Sequence, residues 1–271
     1  MNKIFLPVDF SDHSKNCLVY AISLAHNFSA ELFVLHAYGR PKVMEDTLEI
    51  DTESQVEAIN KLKNFVDLTL DKSTQDYSKV KISYVAKIGL AGDVILNTSE
   101  EENADLIVMG THGTSNILNL YFGGVSITVM SKAKCPVLII PPSSKFKGWN
   151  HFGCTINFNF DDLVVFNTLL KWSKVLAVDL TCLHVITEDN EDDVSNKLNL
   201  LEDLFPYDNV KFKTKSGDIK HTVELFESEE NLDLLGMIHH DKNLMEYLLN
   251  SDTTKSIAEG LKIPLLVFNM K

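Results

Sequence analysis

The chain has 271 residues, of which 45% are hydrophobic and 23% are charged, and its formal net charge is −13. This composition is typical of a folded globular protein that is long enough for two domains. The negative charge argues against binding to nucleic acid or to anionic membranes, because both need a basic surface. The sequence has neither an apolar run of membrane-spanning length nor a signal-peptide pattern, so we expect a cytoplasmic protein.

The first half of the chain alternates short apolar runs with segments of helical periodicity. The apolar runs predict β-strands over residues 3–8, 32–37, 80–85, 106–109 and 137–140. The connection of each strand to the next through a helical segment predicts an α/β fold, with a parallel sheet covered by helices on both faces.

Four helices are predicted between these strands. Ser11 or Asp12 can cap the first helix, whose apolar side consists of Cys17, Ala21, Leu24 and Phe28. After a polar stretch from Gly39, the second helix is predicted to carry Val56, Ile59, Val66 and Leu70 along one apolar side. A third helix contains residues 94–99, and a fourth is expected to begin near Val125.

The glycine-containing segment after residues 104–109 is the part of the chain that most clearly indicates a function. Gly110-Thr111-His112-Gly113 is followed, after nine residues, by Gly123-Gly124-Val125-Ser126. Glycine lets a backbone approach an anion closely and adopts positive φ where that is needed. The first N–H groups of a helix attract phosphate. The spacing therefore predicts a phosphate site, with a plain connecting loop as the alternative.

The second half of the chain repeats the first. Residues 31–37, 104–109 and 135–140 are similar to residues 179–185, 232–237 and 263–268, in the same order. This order predicts a duplicated domain. The prolines and serines between Pro141 and Lys145 predict the boundary, with domains over residues 1–142 and 150–271.

These features resemble a tandem member of the universal stress protein family. The resemblance rests on Pro7-Val8-Asp9-Phe10-Ser11, Leu35-His36-Ala37, the glycine-containing segment, and Cys135-Pro136-Val137-Leu138-Ile139. The family's nucleotide-binding members carry G-x-x-G, nine residues, and then G-[ST]. The resemblance implies two Rossmann-like domains of the adenine nucleotide alpha hydrolase-like type, each with a five-stranded parallel sheet. It also implies that ATP, or AMP or ADP, binds at the strand ends.

The resemblance also implies residue roles. Asp9 would face the ribose or a phosphate-bound Mg²⁺ ion, although it could instead cap the following helix. Pro7 and Ala37 would flank the adenine. Main-chain N–H groups between Met109 and Ser126 would hold the phosphates, at Met109, Gly110, Gly113, Gly123, Gly124, Val125 and Ser126. Gly124 stands where the family has Ser or Thr, which removes a hydroxyl worth about 1 kcal/mol. Ser126 is expected to replace part of it.

The second half lacks this pattern. In the register of the matched strands, Gly110, Gly113, Gly123, Gly124 and Asp9 correspond to Ile238, Asp241, Ser251, Asp252 and Asn157. Carboxylates repel phosphate, and a β-branched residue resists positive φ. We therefore expect the second half not to bind ATP, and to form instead the interface that separate family subunits make when they dimerise.

The remaining histidines and cysteines suggest no further site. His112 is expected to be an exposed loop residue, and His239-His240-Asp241 has no identifiable third metal ligand. His36 and His184 end equivalent strands, which predicts a shared packing or hydrogen-bonding role. The four cysteines, Cys17, Cys135, Cys154 and Cys182, form no CxxC pair and are expected in the core.

Three functions remain open from the sequence. The leading one is a stress-response or regulatory protein that binds an adenine nucleotide, since no catalytic residue is evident and no Walker motif is present. The second is a slow ATPase in which Asp9 holds Mg²⁺. The third is an interaction scaffold whose nucleotide site has decayed. Pairing of the two domains within one chain and assembly into a homodimer are both possible.

Overall fold

The computed structural model describes residues 1–39, 41–44, 47–50, 54–71, 75–111, 123–158, 162–186, 194–239 and 262–269. The chain divides into two compact units, Met1–Phe146 and Lys147–Lys271. The strands of the first unit are β1 (Lys3–Pro7), β2 (Glu31–Tyr38), β3 (Pro41–Met44), β4 (Thr47–Ile50), β5 (Ile82–Ile88), β6 (Leu106–Gly110) and β7 (Val137–Ile140). Its helices are α1 (Asp12–Phe28), α2 (Gln55–Leu70), α3 (Ala91–Glu101) and α4 (Gly124–Lys132).

The second unit follows the same order of elements. Its strands are β8 (His151–Thr155), β9 (Asp179–Ile186), β10 (Val210–Ser216), β11 (Leu234–His239) and β12 (Leu265–Asn269). Its helices, within the described residues, are α5 (Asp162–Leu176), α6 (Val194–Leu204) and α7 (Ile219–Glu230). No helix in the described part of the chain combines the length and the apolar character needed to cross a membrane.

Among the described residues, each unit has five parallel strands, in the order β7-β6-β1-β2-β5 in the first and β12-β11-β8-β9-β10 in the second. Helices lie on both faces, so the predicted α/β fold class is confirmed. The antiparallel pair β3–β4 was not predicted. Its two strands lie in the polar stretch after Gly39, where no strand was predicted.

The register of the strands is the same in both units. Ile4 of β1 lies opposite Leu32 and Leu106, and Phe152 of β8 lies opposite Leu180 and Leu234. Counting along the equivalent strands equates Gly110 with Ile238 and Asp9 with Asn157, as the sequence comparison indicates. The predicted counterparts Asp241, Ser251 and Asp252 lie outside the described residues.

A side-chain contact at the start of the first strand is also repeated. The carboxylate of Asp105 accepts hydrogen bonds from the backbone N–H groups of Asn2 and Lys3, at 2.6 and 3.0 Å. In the second unit, Asp233 accepts the equivalent two bonds, at 2.6 and 2.9 Å. The two copies therefore share specific polar contacts as well as the order of their elements.

The helix ends and the buried faces largely follow the sequence pattern. Ser11, one of the two predicted caps, accepts the N–H of Ser14 at the start of α1. The prediction for α2 was partly wrong, because Val56 is 68% exposed. The buried residues of α2 are Ala58, Leu62, Phe65 and Val66. Val56 is two residues from Ala58 and so lies roughly 200° around the helix from it.

An ion-pair network attaches the edge strand β5 to β2. The carboxylate of Glu31 accepts the hydroxyl of Ser83 at 2.5 Å and the ammonium of Lys81 at 2.9 Å. The Ser83 hydroxyl, followed by the Lys81 ammonium, holds the pKa of Glu31 below its usual value, against the opposing effect of desolvation. This stabilisation is fully present above the unfolded-state pKa of about 4.3 and is lost as the pH falls through the lower native pKa.

We expect Ser83→Ala to lower the free energy of unfolding by about 1 kcal/mol at pH 7, because the Glu31 carboxylate loses its closest donor. The difference from wild type should shrink as the pH falls through the native pKa of Glu31, because protonation removes the carboxylate charge in both proteins. Urea unfolding of both proteins at pH values between 7 and 3 measures this effect.

The control is Ser131→Ala. The Ser131 hydroxyl donates to the carbonyl of Ile127 at 2.9 Å, and no carboxylate takes part in that bond. Its effect on stability should therefore not depend on pH in this range. A Ser83→Ala difference that is equally constant would contradict the assigned role of Glu31.

Candidate functional site

The candidate site lies where three neighbouring strands end. In the order β6-β1-β2, β1 ends at Pro7, β2 contains Ala37 near its end, and β6 ends at Gly110. The chain passes from β1 to β2 on one side and later returns to β6 on the other. The winding of the sheet therefore reverses between β1 and β6, and α/β proteins bind ligands at the strand ends beside such a reversal.

Asp9 supports the beginning of α1. Its Oδ1 atom accepts the N–H and the hydroxyl of Ser11, at 3.1 and 2.6 Å, and the hydroxyl of Ser14 at 2.6 Å. Ser11 rather than Asp9 is the N-cap, so Asp9 acts by holding the capping hydroxyl in place. Burial raises the pKa of the Cys17 thiol on α1, and the negative charge of Asp9 raises it further. Sequence reasoning did not identify Ser14 as part of this cluster.

An aromatic pair follows Asp9. Phe10 has a φ of 65°, which is uncommon for a residue with a side chain. Its ring centroid lies 4.5 Å from that of His36, whose Nδ1–H donates to the carbonyl of Val8 at 2.9 Å. In the second unit, Phe158 has a φ of 58° and lies 4.5 Å from His184, which makes the equivalent bond at 2.8 Å. The predicted shared hydrogen-bonding role of the two histidines is confirmed.

Gly110 leaves room for an imidazole ring. His13 of α1 lies with Nε2 2.8 Å from the carbonyl oxygen of Ile140. A Cβ atom on Gly110 would lie only 2.6 Å from Cε1 and 2.7 Å from Nδ1 of this ring. Sequence reasoning missed His13, although its place in the first turn of a helix that follows a strand end was an available signal.

The backbone of Gly110 does not adopt positive φ. Among the described residues, the glycines that do are Gly39, Gly89, Gly148 and Gly217. The expectation that this position requires positive φ was therefore wrong, because the close approach of His13 explains the glycine instead. The argument that Ile238 resists positive φ at the equivalent position therefore no longer holds.

The N-terminus of α4 is open. Gly123 is the N-cap, with φ −74° and ψ 153°, and within the described residues no side chain caps the helix. The N–H of Gly123 donates to the carbonyl of Thr111 at 2.7 Å, which joins the two described ends of the loop. A Cβ atom on Gly124 would meet nothing within 4 Å, and Val125 is 39% exposed. As far as the described residues are concerned, the first turn of α4 is therefore accessible to an anion.

Ser126 has a different role from the one expected. Its side chain is 2% exposed, and its hydroxyl lies 2.8 Å from the carbonyl oxygens of both Thr111 and Gly123. The single hydroxyl hydrogen donates to these carbonyls and points into the loop. The expectation that this hydroxyl replaces the one missing at Gly124 was therefore wrong. Only the backbone N–H of Ser126 is left for a phosphate.

Some predicted site residues are not described or not tested. His112 and Gly113 lie outside the described residues, as do His240 and Asp241. Met109 is buried within β6, opposite Ile139 of β7. Within the described residues, no group of three or more His, Cys, Asp or Glu side chains is placed to hold a metal ion.

The equivalent strand end in the second unit has its carboxylate at a different position. The N–H of Asn157 donates to the carboxylate of Asp162 at 2.6 Å. In the first unit, the N–H of Asp9 lies 3.2 Å from the hydroxyl of Ser14 instead. The carboxylate has therefore moved from the strand end to the helix, and the hydroxyl cluster around Asp9 has no direct equivalent.

Comparison with known proteins gives the family. The sequence profile of the Universal stress protein family matches residues 1–141. This chain belongs to that family. A universal stress protein of Methanocaldococcus jannaschii is 30% identical over 154 residues, covering 53% of this chain and 84% of the relative. One of Bacillus subtilis is 30% identical over 151 residues, covering 51% of this chain and 98% of the relative.

A solved structure covers both units. The crystal structure of a universal stress protein from Archaeoglobus fulgidus matches 99% of this chain and 96% of that one, with a TM-score of 0.74 and 20% identity. At this identity the match concerns the fold alone. The fold of this universal stress protein is thus a tandem arrangement, about twice the length of the single-domain relatives.

We expect Gly110→Ala to displace the His13 ring and to break its hydrogen bond to Ile140, because the new methyl group would overlap the imidazole. The expected loss of stability is about 1–3 kcal/mol. NMR spectra of the histidine ring protons and urea unfolding measure the two effects.

Gly124→Ala is the matched control, since its methyl group would enter open space, and its stability should stay within about 0.5 kcal/mol of wild type. In the Gly110→Ala background, His13→Ala should cost little more, because the contact is already broken. Unchanged His13 resonances in Gly110→Ala would contradict the assigned contact.

Proposed function

We propose that the first unit binds an adenine nucleotide such as ATP, AMP or ADP, and that the protein acts as a nucleotide-binding stress-response or regulatory protein. The observation that carries this proposal is the uncapped first turn of α4, which opens at Gly123 and Gly124 beside the reversal of the sheet. Backbone N–H groups and the helix dipole attract phosphate at such a position.

The base and the ribose would bind at the ends of β1 and β2. Pro7 and Ala37 are both half-buried there, and the neighbouring Phe10–His36 pair supplies an aromatic wall beside Asp9. An apolar surface with a few polar groups suits a flat base attached to a hydroxylated sugar. This placement keeps the roles that the family resemblance implies for Pro7, Asp9 and Ala37.

The phosphates would be held by main-chain N–H groups. Gly110, Gly124, Val125 and Ser126 lie around the described ends of the loop, and Met109 and Gly113 belong to the predicted set. The N–H of Gly123, also in that set, already donates to the carbonyl of Thr111, so Gly123 would contribute by leaving the helix end uncovered. Because Gly124 has no side chain, the first turn of α4 offers backbone donors only. We therefore expect binding that is weaker by about 1 kcal/mol than with a hydroxyl at this position.

The described residues do not form a cage for a tightly held Mg²⁺ ion. Among them, the carboxylate that the proposed site offers is that of Asp9, whose Oδ1 atom accepts three hydrogen bonds from Ser11 and Ser14 and whose Oδ2 atom is buried. A Mg²⁺ ion at Oδ1 would displace those hydrogen bonds, and one at Oδ2 would first need that atom to be uncovered. We derive no hydrolysis step through a metal, and the proposal is one of binding rather than turnover.

The second unit is proposed not to bind a nucleotide in this manner. In this unit the carboxylate at the strand end is that of Asp162 on the helix, and the hydroxyl cluster around Asp9 has no direct equivalent. In the sequence register, Asp252 replaces Gly124, and a carboxylate at the position that corresponds to the phosphate site would repel phosphate. One nucleotide per chain is therefore the proposed stoichiometry.

The proposal is tested by calorimetric titration of wild type and Gly124→Asp with ATP and AMP. The variant should bind ATP about tenfold more weakly or worse, because like charges about 4 Å apart repel by roughly 1–4 kcal/mol in water or near a protein surface. Wild type should bind one nucleotide per chain.

Gly124→Ala is the control for the added Cβ atom, because a Cβ atom at this position meets no described atom within 4 Å. This variant should bind ATP like wild type. Equal ATP affinity in Gly124→Asp and Gly124→Ala would refute the assigned phosphate position. No binding to wild type at millimolar ATP would refute nucleotide binding altogether and favour the scaffold function.

Gly124→Ser should bind ATP about fivefold more tightly than wild type, because it restores a hydroxyl worth about 1 kcal/mol next to the phosphates. The same titration measures this gain. Gly124→Ala separates the hydroxyl from any general effect of replacing glycine, so an equal gain in both variants would show that the hydroxyl makes no contact with the ligand.

A further inference from the structure

Two thiols touch inside the core of the second unit. Cys154 of β8 and Cys182 of β9 are partners in the strand register, and their Sγ atoms lie 2.9 Å apart. Both residues are 0% exposed, and both are free thiols. No feature of the proposed nucleotide site involves them, so the inference below is independent of that site.

The backbone geometry suits a bond between these sulfurs. Neighbouring strands lie about 4.8 Å apart, so register partners have Cα atoms within the range of about 4.4–6.8 Å that disulfides span. In a parallel pair, register partners also project from the same face of the sheet. No shift of the strands is therefore needed to link the two residues.

The first unit shows that this position does not require cysteine. Leu6 and Val34 occupy the equivalent places on β1 and β2, are partners in the same register, and are also fully buried. An aliphatic pair thus fills the same space in a fold of the same design. The thiol pair is a feature of the second unit, and the first unit supplies its redox-inert replacement.

We propose that Cys154 and Cys182 form a latent cross-strand disulfide, closed by a hydroperoxide such as hydrogen peroxide. In the first step, one thiol and hydrogen peroxide give a sulfenic acid and water. In the second step, the partner thiol attacks the sulfenic sulfur, the S–S bond forms, and the hydroxyl leaves as water with the thiol proton. The two sulfurs lose two electrons in total, and the peroxide is reduced to two molecules of water.

The helix that packs over the two thiols controls how fast peroxide reaches them in the first step. In the strand register, the row of residues Gly236, Cys154, Cys182 and Phe212 lies on one face of the sheet. A Cβ atom on Gly236 would lie 2.5 Å from Leu169 Cδ1 of α5, and the ring of Phe166 on the same helix lies 5.6 Å from that of Phe212. Helix α5 therefore covers this face, and an oxidant reaches the thiols when the helix opens locally.

The two steps should differ greatly in rate. Burial raises the pKa of the Cys182 thiol well above its usual value, and the hydrogen bond and charge of Cys154 raise it further. Since the thiolate is the nucleophile, attack on peroxide is slow and limited by opening. Formation of the disulfide from the sulfenic acid needs no large movement, because the sulfur of the partner cysteine is already in contact with it. Oxidation should therefore stop at the disulfide and should not proceed to sulfinic acid.

The folded full chain is exposed to hydrogen peroxide, and the peroxide is then removed with catalase. The remaining free thiols of the protein are alkylated in denaturant with N-ethylmaleimide. Tryptic peptides over residues 148–171 and 175–197 each contain one of the two cysteines. Mass spectrometry should find them joined, and dithiothreitol should separate them. The oxidised protein should also melt at a higher temperature than the reduced protein, because the link joins β8 to β9.

Two variants make the test specific. Cys182→Val leaves Cys154 without a partner and removes the thiol from the 175–197 peptide, so no joined peptide can form, and sulfenic and sulfinic acid should accumulate at Cys154 instead. Combining Cys154→Leu with Cys182→Val copies the first unit and should show no change of melting temperature with peroxide. Free thiols at both positions after overnight exposure of wild type to millimolar peroxide, or sulfinic acid in place of the joined peptide, would overturn the proposal.

Discussion

Parallel pairing of β1 with β2 on one side and with β6 on the other is the constraint on which the candidate site depends. It brings the carboxyl ends of three strands to one edge, so that Asp9, Ala37 and Gly110 become neighbours although they are far apart in the chain. The same pairing places the start of α1 and the start of α4 beside that edge. Every role proposed for a nucleotide follows from this arrangement.

The glycines of the motif serve different physical purposes. Gly110 is small because the His13 ring occupies the space where its side chain would be. Gly124 has free space around it and leaves the first turn of α4 uncovered. Ser126 closes the loop from within, since its hydroxyl is used by the carbonyls of Thr111 and Gly123. Tight packing behind the loop and an open helix end in front of it together give a surface that suits an anion.

Duplication preserved some contacts and changed others. The carboxylates of Asp105 and Asp233, and the histidines His36 and His184, make the same backbone contacts in their own units. These contacts maintain the strand ends and the strand register. The differences lie at the site and in the core: a carboxylate replaces the Ser14 hydroxyl, and two thiols replace an aliphatic pair. The two units have therefore kept their architecture while their local chemistry has diverged.

The sequence by itself determined the α/β class, the positions of the five parallel strands of the first unit, the duplication and the family, because apolar periodicity and motif spacing are local properties that can be read along the chain. Only the tertiary structure decided that His13 lies over Gly110, that the Ser126 hydroxyl points inward, that Val56 is exposed, and that Cys154 touches Cys182. Each of these depends on which residues of distant segments meet, or on how a helix is rotated against the sheet. Strand register and helix rotation result from the packing of the whole unit, and no local pattern specifies them.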